Sequence, residues 1–243
     1  MNAADLNSIV AIDGGGTRCR MAFAGNGKRV SVEVGSANVS TDFSRAVAEL
    51  QTGIQLLSKE LSIPFEALAN CPAFVGLAGM TGPRVAQAVA NSLPFDQVRV
   101  LDDRPASVRG ALGAGDGAVA HCGTGSFFGV QIDGNLHLAG GWGPVLGDQA
   151  SAQWIGRQAL RHALDAVDGL GLHSDLTKKF LNDFDGAAGI VAFAGQAGPS
   201  GLGQIAKDVT SFAKGGDTVA RSVMRLGADY IAQSLPKAGW HSG

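Results

Sequence analysis

The chain has 243 residues, a formal net charge of −2, 45 % apolar residues and 36 glycines. It is too apolar for a disordered linker, its glycines follow no three-residue collagen period, and no run of Lys or Arg marks a nucleic-acid surface. No apolar stretch reaches the ~18 residues of a membrane span, and Met1 to Ser8 carries neither the basic nor the apolar region of a signal peptide, so a cytoplasmic protein with no membrane partner is expected.

Ser8 to Asp13 is a short apolar run rich in β-branched residues and reads as a buried strand, running into Gly14-Gly15-Gly16-Thr17. Arg18 to Ala24 reads as a second strand, Gly25-Asn26-Gly27 as a hairpin turn and Lys28 to Val34 as a third strand. Asp42 to Leu61 carries Phe43, Val47, Leu50, Ile54 and Leu57 at spacings of three and four, the signature of an amphipathic helix. A strand over Ala73–Leu77, a helix over Pro83–Leu93, a strand over Val98–Leu101 and a helix over Asp103–Leu112, capped by Asp103, follow. The opening layout then returns. Gly117 to Cys122 is a strand, Gly123-Thr124-Gly125-Ser126 a tight turn, Phe127 to Ile132 a strand, Asp133-Gly134-Asn135 a hairpin turn and Leu136 to Ala139 a strand. Gly16-Thr17 matches Gly123-Thr124 and Gly27 matches Gly134, both 107 positions on, as in a duplicated hairpin unit. Asp148 to Val167 reads as a long helix. Ser174 to Gly243 reads as further helices with glycine-rich joints at Gly186–Gly203 and Gly215-Gly216. Strands alternating with crossover helices make this an α/β chain.

Several segments carry chemistry. In Asp13-Gly14-Gly15-Gly16-Thr17 the glycines let successive backbone N–H groups converge on an anion, Thr17 adds a hydroxyl, and Asp13 could hold a hydrated Mg²⁺. The simpler reading is a glycine-rich turn with a capping Asp. Gly123-Thr124-Gly125-Ser126 is a second such loop, and a pair suits the grip of a polyphosphate. Neither is a Walker A loop, since Gly27-Lys28 is followed by Arg29, and no GxGxxG opens a helix. Leu101-Asp102-Asp103 ends a strand, where a carboxylate suits a general base, although Asp ahead of Pro105 also suits a helix start. Gly140-Gly141-Trp142-Gly143-Pro144 with Gly147-Asp148 offers an aromatic plane and a carboxylate for a sugar. The alternative puts Trp142 in the core and makes Asp148 a helix cap. Asn38 is a polar loop residue of little specificity. Cys19, Cys71 and Cys122 form neither a CxxC nor a zinc pattern and read as small core residues of a reducing compartment.

Asp13-Gly14-Gly15-Gly16-Thr17, Gly76-Leu77-Ala78-Gly79, Asp103, Gly123-Thr124-Gly125-Ser126 and Gly140-Gly141-Trp142-Gly143 through Gly147-Asp148 occur in that order. Together they resemble the N-acetylglucosamine/glucosamine kinase family, a BadF/BadG-type ATPase group of the actin–hexokinase–Hsp70 superfamily, from about Ile9 to the end of the chain. The resemblance implies an α/β fold of two ribonuclease-H-like, actin-like ATPase lobes, residues 1–112 and 113–243, with a central cleft. It implies ATP and Mg²⁺ as cofactors and transfer of the γ-phosphoryl group to the 6-hydroxyl of N-acetylglucosamine or glucosamine. Asp13, Gly14, Gly15, Gly16 and Thr17 would form the first phosphate loop, with Asp13 at the metal. Gly123, Thr124, Gly125 and Ser126 would form the second. Asp103 would be the catalytic base, and Asn38, Asp103, Thr124, Trp142, Gly143 and Asp148 would line the sugar site. A homodimer is the assembly considered.

Two features depart from the family pattern. Relatives read Gly-Asp-Glu-Gly where this chain has Gly147-Asp148-Gln149-Ala150, and they continue past Gly239-Trp240-His241-Ser242-Gly243 into an apolar strand and a Gly-Gly turn that holds the adenosine, so the second lobe is expected to be truncated. Two other readings are an ATPase activator of a radical acyl-CoA dehydratase or reductase, for whose iron–sulfur cluster Cys71 and Cys122 lack the setting, and an inactive or sugar-sensing relative.

Overall fold

The computed structural model describes residues 8–241. The reading of Met1 to Asn7 and the last two residues of the chain lie outside that range. Two compact units meet at Ser107/Val108, five positions before the expected lobe boundary.

The first unit is built on a five-stranded sheet of order β3-β2-β1-β4-β5. Its strands are β1 Ile9–Gly14, β2 Cys19–Gly25, β3 Lys28–Val34, β4 Ala73–Leu77 and β5 Val98–Asp102. β1, β2 and β3 form an antiparallel meander, whereas β4 runs parallel to β1 and β5 parallel to β4. The helices are α1 Phe43–Leu61, α2 Phe65–Ala69, α3 Pro83–Asn91 and α4 Arg104–Leu112, the last crossing into the second unit. α1 starts where the Asp42 carboxylate accepts from the Arg45 N–H and stops where Ser62 turns left-handed at φ 55°. It buries Ala46, Leu50, Ile54, Leu57 and Leu61, and each large aliphatic residue contributes roughly 1.5–3 kcal/mol on leaving water. Gly53 gives α1 its approach to the sheet, because a Cβ there would fall on the Met21 side chain. Cys19 and Cys71 belong to this core, and burial, reinforced by the charges of Asp13 and Glu49, pushes the Cys19 thiol up to about 12.

The second unit has an antiparallel sheet of β6 Gly117–Cys122, β7 Ser126–Ile132 and β8 Asn135–Gly140. Its helices are α5 Gly143–Leu146, α6 Ala152–Val167, α7 Asp175–Asp183, α8 Gly186–Gln196, α9 Gly198–Lys214 and α10 Thr218–Lys237. Ala159, Leu160, Ala163, Leu176, Phe180, Ile190, Val209, Ala220 and Val223 form a helical core. No helix among the described residues is long and apolar enough to cross a membrane.

The repeat is visible in the pairing. Gly25↔Lys28 of the first hairpin becomes Ile132↔Asn135 in the second, 107 positions on, and both turns carry two left-handed residues, Asn26-Gly27 and Asp133-Gly134. The strand before each hairpin is shifted by 108 instead, since Ile9–Gly14 corresponds to Gly117–Cys122. The second loop is therefore one residue shorter than the first.

Four expectations are corrected. Gly186–Gly203 is helical rather than a joint, because Ile190 is buried and Phe193 packs on Phe184 at 4.5 Å between ring centroids. α6 begins at Ala152, capped by Ser151 and not by Asp148. Cys122 is exposed, not a core residue. Trp142 is exposed, so the alternative that put it in the core does not hold.

Candidate active site

In the first unit the parallel register places Asp13 of β1 beside Gly76 of β4, and Leu77 of β4 beside Asp102 of β5. Asp13, Gly76 and the Asp102-Asp103 pair thus lie in a row at the carboxyl ends of parallel strands, where open α/β sheets bind ligands. The two adjacent acids differ. Asp102 is held in a fork by Arg104, with Nε on Oδ1 and Nη2 on Oδ2, both at 2.8 Å, and it also accepts from the Arg104 backbone N–H at 2.8 Å. Asp103, half-buried, has its pKa raised to about 6, first by burial and then by the negative charges of Asp102 and Asp13. One acid is occupied by Arg104, while the raised proton affinity of its neighbour suits a proton acceptor. Gly76 sets the floor of this site, since a Cβ there would lie 3.2 Å from the Asp103 Cα.

The loop after β1 is braced from within. The Gly15 N–H donates to the Arg18 carbonyl at 2.9 Å, and the Gly15 carbonyl accepts from the Ala37 N–H at 3.2 Å. Gly14 is fixed by packing, because a Cβ there would stand 2.4 Å from Leu77 Cδ2. Gly16 and Thr17 are exposed, and the Gly16 N–H donates no backbone hydrogen bond among the described residues. The nearest group to a Cβ at Gly16 would be the Asn38 amide nitrogen, at 3.8 Å. The Asn38 Oδ1 accepts from Ser40 N, Ser40 Oγ and Thr41 N at 3.0, 2.8 and 3.3 Å, so its amide nitrogen is the end left toward the loop. Ser40 escaped the sequence reading, although an Asn two residues before a Ser is a recognisable turn signal.

No group of three or more His, Cys, Asp or Glu gathers as a metal cluster among the described residues. A single exposed carboxylate fits Mg²⁺, which keeps its waters and relies on substrate phosphates for the remaining ligands. Asp13 meets that description.

In the second unit the loop after β6 closes on itself, with the Gly123 N–H donating to the Gly125 carbonyl at 2.9 Å. It is tied to α6 by the Ala152 N–H on the Gly123 carbonyl, also 2.9 Å. Ser126 is buried. Its hydroxyl donates to the Gln149 carbonyl at 2.6 Å, and Gly123, Thr124 and Gly125 precede it in the loop. Asp148 is also buried and left-handed, at φ 58°. Its Oδ1 accepts from the Ser126 N–H at 3.3 Å and its Oδ2 from Gln153 Nε2 at 2.9 Å. A Cβ on Gly125 would stand 2.8 Å from the same Oδ2. Trp142 is 78 % exposed, not in the core, and Gly147 lies so close beneath it that a Cβ there would be 2.9 Å from the Trp142 Cβ. Gly143 opens α5 at φ 81°. The position on β6 that corresponds to Asp13 is His121, whose ring stacks on Phe127 at 5.0 Å.

A family model described as the BadF/BadG/BcrA/BcrD ATPase family matches residues 10–238. The chain is 27 % identical over 234 residues to a glucosamine kinase of Vibrio cholerae, covering 95 % of this chain and 80 % of that protein. It is 26 % identical over 174 residues to an N-acetylmuramic acid/N-acetylglucosamine kinase of Clostridium acetobutylicum, covering 68 % of this chain and 56 % of that one. Among solved structures, a candidate N-acetylglucosamine kinase of Chromobacterium violaceum aligns with a TM-score of 0.81 at 26 % identity, over 94 % of this chain and 83 % of that chain.

Proposed function

The chain belongs to the BadF/BadG/BcrA/BcrD ATPase family, and from that premise we propose that it is an amino-sugar kinase that transfers the γ-phosphoryl group of ATP to the 6-hydroxyl of glucosamine or N-acetylglucosamine. The observation that carries the reading is the pair Asp102 and Asp103. One acid is locked to Arg104, while its neighbour has a proton affinity near neutral pH at the carboxyl end of a parallel strand. Such an acid is matched to accepting a hydroxyl proton.

Asp103 orients the attacking hydroxyl and takes its proton as the bond to phosphorus forms. Phosphoryl transfer of this kind passes through a loose transition state, so the protein's contribution is alignment and charge stabilisation. The Gly14–Thr17 loop and the Gly123–Gly125 loop offer backbone N–H groups to phosphate oxygens. Asp13 would hold Mg²⁺, which when bound neutralises phosphate charge. Asn38, Thr124, Gly143 and Asp148 bind the sugar through hydrogen bonds, with Trp142 shaping the loop beside them.

A coupled ADP-release assay with N-acetylglucosamine, glucosamine and glucose tests this. The expected result is turnover that depends on an amino sugar and falls by orders of magnitude in Asp103→Asn. ADP release that ignores the sugar, or an Asp103→Asn variant as fast as the parent, would refute the kinase reading.

A further inference from the structure

Gln153 is buried to 1 % exposure on the first turn of α6, yet it is polar and only partly satisfied. Its Nε2 donates to Asp148 Oδ2 at 2.9 Å, while its Oε1 is buried with no hydrogen-bond partner among the described residues. A buried acceptor without a donor is unfavourable, and its presence in a folded chain asks for a reason. The flipped amide would set Oε1 against Asp148 Oδ2, acceptor against acceptor, so the contact with Asp148 dictates the orientation that leaves Oε1 unpaired. A leucine or methionine would fill the same space without that cost. The first turn of α6 is itself fixed to the Gly123 loop by Ala152, and Asp148 is fixed to the same loop by Ser126.

We infer that Gln153 is a positioning residue. Its carboxamide holds the Asp148 carboxylate in the orientation in which it receives sugar hydroxyls, and so sets affinity for the sugar. This inference rests on the kinase reading, in which Asp148 lines the sugar site. Neither Ser126 nor the Gly125 Cα replaces the donor, because the Ser126 N–H reaches only Oδ1 and Gly125 brings no polar hydrogen to Oδ2.

The test is a double-mutant cycle read by calorimetry of glucosamine and N-acetylglucosamine binding, with melting temperature and kcat measured alongside. Gln153→Leu is expected to weaken sugar binding about tenfold or more, with kcat changed less than the affinity. In an Asp148→Asn background the same substitution is expected to weaken binding less than twofold, because its effect passes through Asp148. Gln153→Met serves as the second variant should Leu fail to fold. Sugar affinity unchanged in both variants, or an undiminished effect in the Asp148→Asn background, overturns the positioning role while leaving the kinase reading intact. A parent chain that binds neither sugar overturns both.

Discussion

A Cβ placed on Gly76 would stand 3.2 Å from the Cα of Asp103 and 3.7 Å from its Cβ. The middle strand of the parallel trio therefore touches the backbone of the proposed base, and only a hydrogen fits between them without displacement. Gly76→Ala is expected to move Asp103 by a few tenths of an ångström and to lower kcat about tenfold. Gly76→Val should lower it about 100-fold, the scale of an ångström-sized misplacement. Steady-state kinetics beside circular dichroism would separate this from unfolding, and a fully active Gly76→Val would contradict it.

The raised pKa of Asp103 makes two opposite pH dependences. In the folded chain it titrates at about 6, against 3.8 for the ordinary group, so the native state holds this proton more tightly than the unfolded one. Ionising Asp103 then costs stability, fully above pH 6 and less as the pH falls from 6 toward 3.8. Asp103→Asn should melt higher than the parent at pH 8 and lose that advantage at pH 4. Activity runs the other way. The parent's kcat/KM for sugar should drop about tenfold per unit below pH ~6, and Asp103→Asn should lose about 10²–10⁴ at every pH. A flat profile from pH 5 to 7 would remove Asp103 from the role of base.

Asp102→Asn separates the neighbours. It removes the negative charge of Asp102 and its fork with the Arg104 guanidinium, so that less negative and more positive charge faces Asp103, and both changes lower its pKa. The acid limb of the pH profile should move to lower pH, with activity at pH 8 kept within about tenfold of the parent. A larger loss at pH 8 than in Asp103→Asn would exchange the roles of the two acids.

Gly125→Ala probes the second unit. Its Cβ would fall 2.8 Å from Asp148 Oδ2, closer than a carbon and a carboxylate oxygen can sit. The carboxylate must swing away, and sugar KM should rise more than tenfold while KM for ATP changes less. Equal changes in both would place the damage in the loop as a whole.

Much of this was legible because it is local. The strands alternate, the Asn26-Gly27 and Asp133-Gly134 turns declare their left-handed residues, and Asp13 and Asp103 stand at strand ends where acids are informative. What was missed depends on tertiary contacts. Asp148 looks like a helix cap, but its carboxylate accepts from Ser126 and Gln153 instead, and the helix waits for Ser151. Gln153 reads as an ordinary polar residue of a helical first turn, and only packing buries it. Ala150, where the family pattern has glycine, keeps a left-handed φ of 66°, so the turn survives the substitution with strain stored in the backbone. The other departure is quieter, because it is the backbone carbonyl of Gln149 that accepts from Ser126.

The missing residue in the second hairpin loop breaks the symmetry of the duplication. An exact copy would end both leading strands in a carboxylate, and each half could have answered the same cation. His121 stands at the position that Asp13 holds in the first half, and its ring lies flat on Phe127. The two hairpins thus share a pairing register and differ in the charge of the strand before them. The carboxylate proposed to face the cation has no counterpart on the second leading strand.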